Sequence, residues 1–318
     1  MRIDLEQHFD RETIVFIRAI GAFAEEQGLE LALVGGPVRD LLLGIPVRDL
    51  DFLVEGEAIE FVEALFLRWS TVMPDFSVPR TPVSFPKYRT AKLMFSDTQD
   101  FLGPVVDFAS TRKEIYPESG KPPIVSPSDL QSDLARRDFS INAMALRLGR
   151  EFFGEVLDPH NGIEDLAAKQ LRVLHDKSFI DDPARMIRGV RFHVRFGFAW
   201  EAHSEKLFVE AREDSALRQL PAVRLFDEFR KALCEKEACR VVAGLEQRGL
   251  LAQIHPELAF STEYQSRFSK QPLEWEVQFV LLLAKSSTEQ FEEVLRHFGI
   301  RGKKHRQLMR LKEELEKS

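Results

Sequence analysis

Residues 35–44 read GGPVRDLLLG, and residues 47–54, close behind them, read VRDLDFLV. The apolar residues 31–34 before the glycines predict a short strand. Pro37, followed by apolar residues up to Gly44, predicts a helix, because proline favours the first helical position and glycine the position past the end. A glycine pair between a strand and a helix lets a ligand approach the backbone, and the N–H groups at a helix start favour phosphate. The pattern matches neither a Walker loop nor a dinucleotide-binding fingerprint, so by itself it predicts a turn.

Carboxylates follow this turn. Asp49 and Asp51 flank Leu50 at the start of a second predicted strand and are two positions apart, so both carboxylates are expected on the same strand face. Neighbouring carboxylates repel each other unless a cation lies between them, and oxygen ligands of this kind suit Mg²⁺. Asp107, an acid in the strand-like apolar run of residues 104–109, is the candidate third carboxylate of a two-metal site. The alternative for all three is a solvent-facing strand residue.

The patterns along the chain change near Ser128. Before it, residues 1–29 repeat apolar positions at helical spacing, and residues 71–127 hold many prolines between strand-like runs. After it, helical patterns dominate. These patterns predict an α+β fold: a small mixed α/β domain over residues 1–150, followed by an all-helical region over residues 151–318.

The composition limits how the protein can bind nucleic acid. Its 318 residues include 44 Lys and Arg against 51 Asp and Glu, which gives a formal net charge of −7. Hydrophobic residues make up 44% and charged residues 30% of the chain, as in folded soluble proteins rather than disordered ones. This balance excludes a protein that binds nucleic acid through overall positive charge, but it allows an enzyme whose basic residues line one cleft.

Membrane, secreted and disulfide-based classes do not fit the sequence. No apolar run approaches the ~20 residues of a membrane span, and residues 1–12 lack the basic and apolar regions of a secretory signal. Cys234 and Cys239 are too few for a disulfide framework or a four-ligand metal site. We therefore expect a cytoplasmic protein with no membrane partner, and no pattern sets its oligomeric state.

Four further motifs follow the opening one in order. They are DLARRDFSINAMAL (residues 133–146), LDPHNGIEDLAAKQLRVL (157–174), DDPARMIRGVRF (181–192) and LPAVRLFDEFRKAL (220–233). Together with GGPVRDLLLG and RDLDF, they resemble the class II tRNA nucleotidyltransferase and bacterial poly(A) polymerase family over roughly residues 30–235. The resemblance implies a palm-like nucleotidyltransferase head, a helical neck over residues 151–235 that recognises base and triphosphate, and a helical RNA-binding body over residues 236–318. It also implies extension of RNA 3′ ends by two-metal nucleotidyl transfer without a nucleic-acid template.

The resemblance assigns roles to single residues. Asp49 and Asp51 would hold the metals, and Asp107 would complete the catalytic carboxylate set that activates the RNA 3′ hydroxyl. Nucleotide-binding residues would come from three of the motifs: Gly35, Gly36, Arg39, Arg136, Arg137, Asp138, Asp182, Arg185, Arg188 and Arg191.

The segment DDPARMIRGVRFHVR, residues 181–195, predicts a helix with a basic face. Its arginines fall within an arc of about 120°. The resemblance makes Asp182 and Arg185 the protein template that reads the incoming base. Cytosine and adenine each present an amino donor beside a ring-nitrogen acceptor, which a carboxylate and a guanidinium complement. Uracil and guanine present a carbonyl beside a ring N–H, so both template groups would face like groups. A buried polar mismatch of this kind favours the correct substrate over the wrong one by ~10⁴-fold. Arg188 and Arg191, on the same face, would bind the negatively charged triphosphate.

Some of these residues have a simpler structural interpretation. Asp138 precedes a predicted helix over residues 140–146, and Asp182 precedes Pro183, so each could be a helix N-cap. The basic residues 300–310 could contact RNA backbone or form a solvated helix end. Asp181 also departs from the family pattern, which commonly has glutamate there.

The motifs predict a CCA tRNA nucleotidyltransferase that adds C, A or both to the tRNA 3′ acceptor end from CTP and ATP with Mg²⁺. A poly(A) polymerase restricted to ATP is the close alternative, because adenine and cytosine share the edge pattern. A catalytically inactive tRNA-binding relative would be expected to lack a carboxylate, yet all three are present. A generic nucleotide-binding module leaves the arginine-rich helix unexplained.

Overall fold

The computed structural model describes residues 1–47, 49–95, 105–268 and 273–317. Arg48 of the RDLDF motif and Pro104 of the predicted strand run lie outside the described residues. The chain divides into two compact units by its internal contacts. The first unit comprises Met1–Ile115 and Ile124–Ala168, and the second comprises Tyr116–Pro123 and Lys169–Ser318.

A mixed sheet forms the first unit, with the order β3-β4-β5-β2-β1-β8-β9. Its strands are β1 (Glu30–Val34), β2 (Asp51–Glu55), β3 (Arg80–Phe85), β4 (Thr90–Met94), β5 (Val105–Ser110), β8 (Ala145–Arg147) and β9 (Val156–Leu157). A separate antiparallel ladder pairs β6 (Arg112–Ile115) with β7 (Ile124–Pro127). Strands β2 and β5 are parallel, whereas the other pairs of the main sheet are antiparallel.

Helices cover this sheet on both faces. They are α1 (Arg11–Glu26), α2 (Gly36–Leu42), α3 (Ala58–Leu67), α4 (Trp69–Val72), α5 (Leu130–Ala135) and α6 (Gly162–Ala168). Helix α1 begins where the Asp10 carboxylate accepts the Thr13 N–H at 2.7 Å, a typical N-cap. Its predicted apolar stripe, which includes Ile17 and Phe23, is buried, and this confirms the helix expected from the spacing.

Strand alternation separates the acids of the sheet from its aromatic core. Phe52 on β2 and Phe108 on β5 stack with ring centroids 5.2 Å apart, on the face where Phe52 also meets Phe16 of α1. Successive strand residues point to opposite faces. Asp51 and Asp107, the neighbours of these phenylalanines, therefore project from the opposite face.

The second unit is helical apart from a short parallel ladder of β10 (Gln170–Leu171) and β11 (Ala199–Trp200). Its helices are α7 (Ser178–Asp181), α8 (Ala184–Phe196), α9 (Ala202–Glu213), α10 (Ala222–Leu233), α11 (Ala238–Gln247), α12 (Leu251–Ile254), α13 (Thr262–Phe268), α14 (Trp275–Leu282), α15 (Thr288–His297) and α16 (Gly302–Glu316). The α+β class is thus confirmed, with a mixed-sheet unit followed by a helical one. No helix within the described ranges is both long and apolar enough to cross a membrane.

The structure differs from the sequence expectations in the segment after Asp138. The helix predicted over residues 140–146 is wrong: Ser140–Asn142 forms a 3-10 turn, and the chain then enters β8. This segment is apolar on both sides because it is buried within the sheet, which periodicity does not distinguish from a buried helix. The predicted head boundary at residue 150 falls inside the first unit, which extends to Ala168. The three-part division of the chain stays a prediction.

Candidate active site

The first unit brings the predicted carboxylates to the centre of its sheet. Asp51 begins β2 and is the direct register partner of Asp107 on the parallel strand β5. Asp49 lies in the segment before β2, so its predicted place within the strand is wrong. Asp49 nevertheless lies close enough to Asp51 to act on its charge.

The electrostatics of this cluster show excess negative charge. Burial raises the pKa of the Asp51 carboxyl, and repulsion from Asp107 and Asp49 raises it further, while Arg137 and Lys92 oppose the shift. The Lys92 ammonium lies 2.7 Å from Asp107 Oδ1. A lysine therefore supplies positive charge to a cluster whose oxygen ligands suit a hard divalent cation. Within the described ranges, no group of three or more His, Cys, Asp or Glu side chains is already arranged to hold a metal ion.

The glycine turn lies against an arginine. Gly35 has φ +72°, and a Cβ placed there would come within 2.8 Å of Arg137 Nη1. Glycine is therefore favoured both by its backbone conformation and by the close approach of the guanidinium. The Gly35 N–H itself donates to the Met144 carbonyl at 3.2 Å.

Arg137 is only partly satisfied by protein groups. Its Nη2 donates to Asp133 Oδ2 at 3.1 Å, whereas its Nε is buried without a hydrogen-bond partner among the residues that the structure describes. A buried N–H without an acceptor is unfavourable. This guanidinium also lies close enough to Asp51 to oppose the rise of its pKa.

Arg39 and Asp138, which the sequence predicts to bind nucleotide, form hydrogen bonds within the first unit. Arg39 is buried and donates to Asn142 Oδ1 at 2.6 Å and to Asp40 Oδ1 at 2.7 Å. The Asp138 carboxylate accepts from Asn142 Nδ2 at 3.0 Å and from the Phe139 N–H at 2.8 Å. Asp138 is not the cap of a long helix, since none follows it. Asn142 hydrogen-bonds both Arg39 and Asp138, and the sequence analysis did not single it out. The one sequence feature that could have identified it is a polar side chain in an apolar stretch.

Gly36 and Arg136 are the remaining predicted residues of the first unit. Gly36 begins α2, and a Cβ there would lie 3.5 Å from Arg39 Nη2, an ordinary contact. The Arg136 guanidinium donates to Asp133 Oδ1 at 2.7 Å and to Glu114 Oε1 at 3.0 Å. Arg136 therefore joins α5 to β6 within the unit.

The second unit places Asp182 and Arg185 together at the start of α8. Both are buried, with exposed fractions of 5% and 3%. Asp182 Oδ2 lies 4.0 Å from Arg185 Nε and 2.8 Å from Nη2 of Arg224. Asp182 Oδ1 also accepts the Ala184 N–H at 3.2 Å. Asp182 therefore makes the predicted capping contact and an ion pair at the same time. Sequence reasoning did not single out Arg224, which is 42 residues away.

The rest of the α8 basic face meets acidic partners. Arg191 Nη2 lies 2.9 Å from Glu235 Oε1, and its Nη1 lies 3.4 Å from Glu228 Oε2. Arg195 donates to Glu235 as well, at 2.9 Å. Arg188 is partly exposed on the same helix. The basic face of α8 is thus not fully exposed to solvent, and its Arg191 and Arg195 are paired with acidic side chains.

Comparisons with known proteins identify the family of the chain. Residues 31–172 match the family described as "Poly A polymerase head domain", and residues 197–261 match "Probable RNA and SrmB- binding site of polymerase A". A solved structure of a CCA-adding enzyme in its apo form II is 31% identical, with a TM-score of 0.81 over 99% of this chain and 73% of that one. The chain belongs to the tRNA nucleotidyltransferase and poly(A) polymerase family.

Within this family, the relatives carry different product names. The A-adding tRNA nucleotidyltransferase of Geobacter sulfurreducens is 38% identical over 257 residues, which are 81% of this chain and 28% of that protein. A tRNA nucleotidyltransferase solved with a primer tRNA and an incoming ATP analog is 30% identical, with a TM-score of 0.73 over 94% of this chain and 87% of that one. The chain spans between 26% and 54% of the length of the curated relatives it matches.

Proposed function

We propose that the chain transfers nucleotides from CTP or ATP to the 3′ end of tRNA and releases pyrophosphate. The observation that carries this proposal is the register pairing of Asp51 with Asp107 on adjacent parallel strands, beside Asp49. Side-by-side carboxylates repel each other, so they are unfavourable unless a cation balances their charge. The names of the relatives supply the substrate class: tRNA, with an ATP analog in one solved complex.

The proposed catalytic groups are the carboxylates. Asp49 and Asp51 would hold Mg²⁺, with Asp107 completing the set. A divalent cation bound there would stabilise the charge that develops on the triphosphate and on the attacking oxygen. The Arg137 guanidinium, whose Nε has no acceptor among the described residues, would position the triphosphate. Gly35 leaves the space that this guanidinium occupies.

The proposed base reader is the Asp182–Arg185 pair. The carboxylate accepts the exocyclic amino hydrogen of cytosine or adenine, and the guanidinium donates to the adjacent ring nitrogen. Because both side chains are buried, water does not replace a missing partner, and uracil or guanine leaves two polar groups mismatched. Arg188 and Arg191 are proposed to contribute positive potential toward the triphosphate. Arg39, Arg136 and Asp138 are proposed to support the nucleotide site through their internal contacts.

The product of the reaction is defined by one experiment. tRNA ending at the discriminator base, at C or at CC is incubated with each nucleotide singly and Mg²⁺. Addition of one A to the CC end identifies an A-adding enzyme, addition of two C a CC-adding enzyme, and both a CCA-adding enzyme. A long A tail on any RNA identifies the poly(A) polymerase alternative. No extension of any substrate would refute the proposed activity and favour the inactive tRNA-binding relative.

The Asp51→Asn variant tests the metal assignment. We expect the rate of nucleotide addition to fall by about 10³-fold or more, because removing a positioned group that stabilises charge in the transition state has effects of this size. Binding of tRNA in a filter assay should remain near that of the parent protein. Asp75→Asn, an exposed aspartate of the same unit, is the matched control. Near-normal rates in the Asp51 variant would contradict the assignment.

A further inference from the structure

We propose that Arg224 is a positioning residue for base selection, which holds Asp182 in the orientation that accepts the amino group of cytosine or adenine. Arg224 lies near the start of α10, 42 residues from Asp182 in sequence. The inference rests on the proposed function, since it assumes that the Asp182–Arg185 pair reads the base.

The contacts of Asp182 show which arginine balances its charge. Its Oδ2 accepts a hydrogen bond from Arg224 Nη2 at 2.8 Å, whereas Arg185 Nε lies 4.0 Å from the same oxygen. A distance of 2.8 Å is that of a charge-assisted hydrogen bond, and 4.0 Å is beyond hydrogen-bond range. The buried acid is thus neutralised mainly by a residue other than the arginine proposed to read the base.

The position of the carboxylate is constrained from two sides. Oδ2 is held by Arg224 of α10, and Oδ1 accepts the Ala184 N–H at the start of α8. A carboxylate bound on both oxygens has little freedom to rotate, although each oxygen keeps a further lone pair for a ligand. Such preorganisation makes the acceptor available to the base without reorganisation.

Arg185 lies beside a histidine. Its Nη1 lies 3.5 Å from Nε2 of His175, and burial, followed by the Arg185 charge, lowers the pKa of this histidine. A neutral imidazole presents an acceptor to the guanidinium. The Asp182 carboxylate thus hydrogen-bonds Arg224, while the Arg185 guanidinium lies next to His175.

Loss of Arg224 has a specific consequence. A buried carboxylate that has lost its main counter-charge is drawn toward a remaining cation, and the Arg185 guanidinium lies 4.0 Å away. Closing the 4.0 Å gap would turn both template groups toward each other and away from the base. Misplacement by about 1 Å can reduce rates by ~10²-fold. The loss should appear in discrimination between nucleotides, because the groups that reject uracil and guanine are the ones displaced.

The experiment compares Arg224→Gln with the parent chain. Single-nucleotide addition to tRNA is measured for ATP, CTP, GTP and UTP, and kcat/KM is obtained for each. We expect the ratios of ATP over GTP and of CTP over UTP to fall by about 100-fold. Arg240→Gln, which removes an exposed arginine paired with Glu237 on α11, should leave both ratios unchanged. An equal loss of kcat/KM for all four nucleotides, with unchanged ratios, would overturn the proposal in favour of a purely structural role.

A conservative variant keeps the test valid if Arg224→Gln does not fold. Arg224→Lys retains the charge and the stem but not the planar donor geometry, so we expect an intermediate fall of about 10-fold in both ratios. Ratios within about twofold of the parent values in this variant would overturn the proposal.

Asp182→Asn separates failure of this inference from failure of the proposed function. If Asp182→Asn changes base choice and the Arg224 variants do not, Asp182 reads the base but Arg224 does not position it. If Asp182→Asn leaves base choice unchanged, the base-reading assignment itself is wrong, and the inference falls with it.

Discussion

Lys92 forms an ion pair with Asp107 of the carboxylate cluster. It is the register partner of Asp107 across β4 and β5, and their side chains are 37% and 40% exposed. An exposed ion pair of this kind contributes up to about 1 kcal/mol. The proposed divalent cation would have to displace the Lys92 ammonium from Asp107, so Lys92 would compete with it for this carboxylate.

The Lys92→Met variant should therefore bind divalent cation more tightly. We expect the affinity for Mn²⁺ to rise by about fivefold, which corresponds to the strength of an exposed ion pair. Free Mn²⁺ is measured by electron paramagnetic resonance during titration of the protein. Lys113→Met, an exposed lysine on β6 of the same unit, should bind Mn²⁺ as the parent does. Equal or weaker binding in Lys92→Met would show that the lysine does not occupy the place of a cation.

At the scale of elements, ion pairs join helix α8 to α10 and to the residues that follow it, and Glu235 forms the shortest of them. Glu235 follows α10, is 5% exposed at its side chain, and lies within 2.9 Å of Arg191 and 2.8 Å of Arg195. A buried acid shared by two arginines fixes the rotation of α8 about its axis. That rotation also sets where Arg185, two turns earlier on the same helix, points.

Removal of this acid should destabilise the second unit. Glu235→Ala leaves Arg191 without its closest counter-charge in a partly buried place, and we expect the free energy of unfolding to fall by about 3 kcal/mol. Urea unfolding, followed by circular dichroism, measures the change. Glu237→Ala removes an exposed acid two residues later and should have no measurable effect. A change in Glu235→Ala as small as in this control would mean that the ion pairs do not fasten α8.

The whole molecule combines an acidic composition with partly buried histidines in both units. Burial lowers the pKa of His160 in the first unit and of His175 and His255 in the second. His160 Nε2 is buried with no hydrogen-bond partner in the described part of the chain. His255 Nδ1 accepts the Glu257 N–H at 3.2 Å, which requires an unprotonated nitrogen. These rings are therefore neutral in the folded state near pH 7.

This predicts loss of stability in mild acid. The folded-state pKa of each ring lies below the ordinary value of 6.5, so the unfolded chain binds protons first as the pH falls, and the folded state loses stability below about pH 6.5. The midpoint of thermal unfolding should drop between about pH 7.5 and about pH 5.5. His255→Asn keeps an acceptor for the Glu257 N–H without titrating, so its drop should be smaller. Exposed His8→Asn is the control, and equal drops in both variants would contradict the prediction.

The order of motifs in the sequence was sufficient to predict the family, and local patterns predicted the elements around it. The stripe that includes Ile17 and Phe23 predicted α1, and the glycine turn with Pro37 predicted a strand followed by a helix. Such features are readable because they depend on neighbours within a few residues. The expected helix over residues 140–146 failed because a short buried strand and a buried helix look alike in sequence.

Contacts between distant residues depended on how the elements pack. Lys92 lies opposite Asp107, Asn142 joins Arg39 to Asp138, and Arg224 holds Asp182. Each pairing joins residues on different elements or turns, and it follows from strand register or helix packing rather than from local periodicity. The family and the fold class were therefore predictable from the motifs and local patterns. The partners that orient the motif residues were not, because packing of the whole core determines which side chains meet.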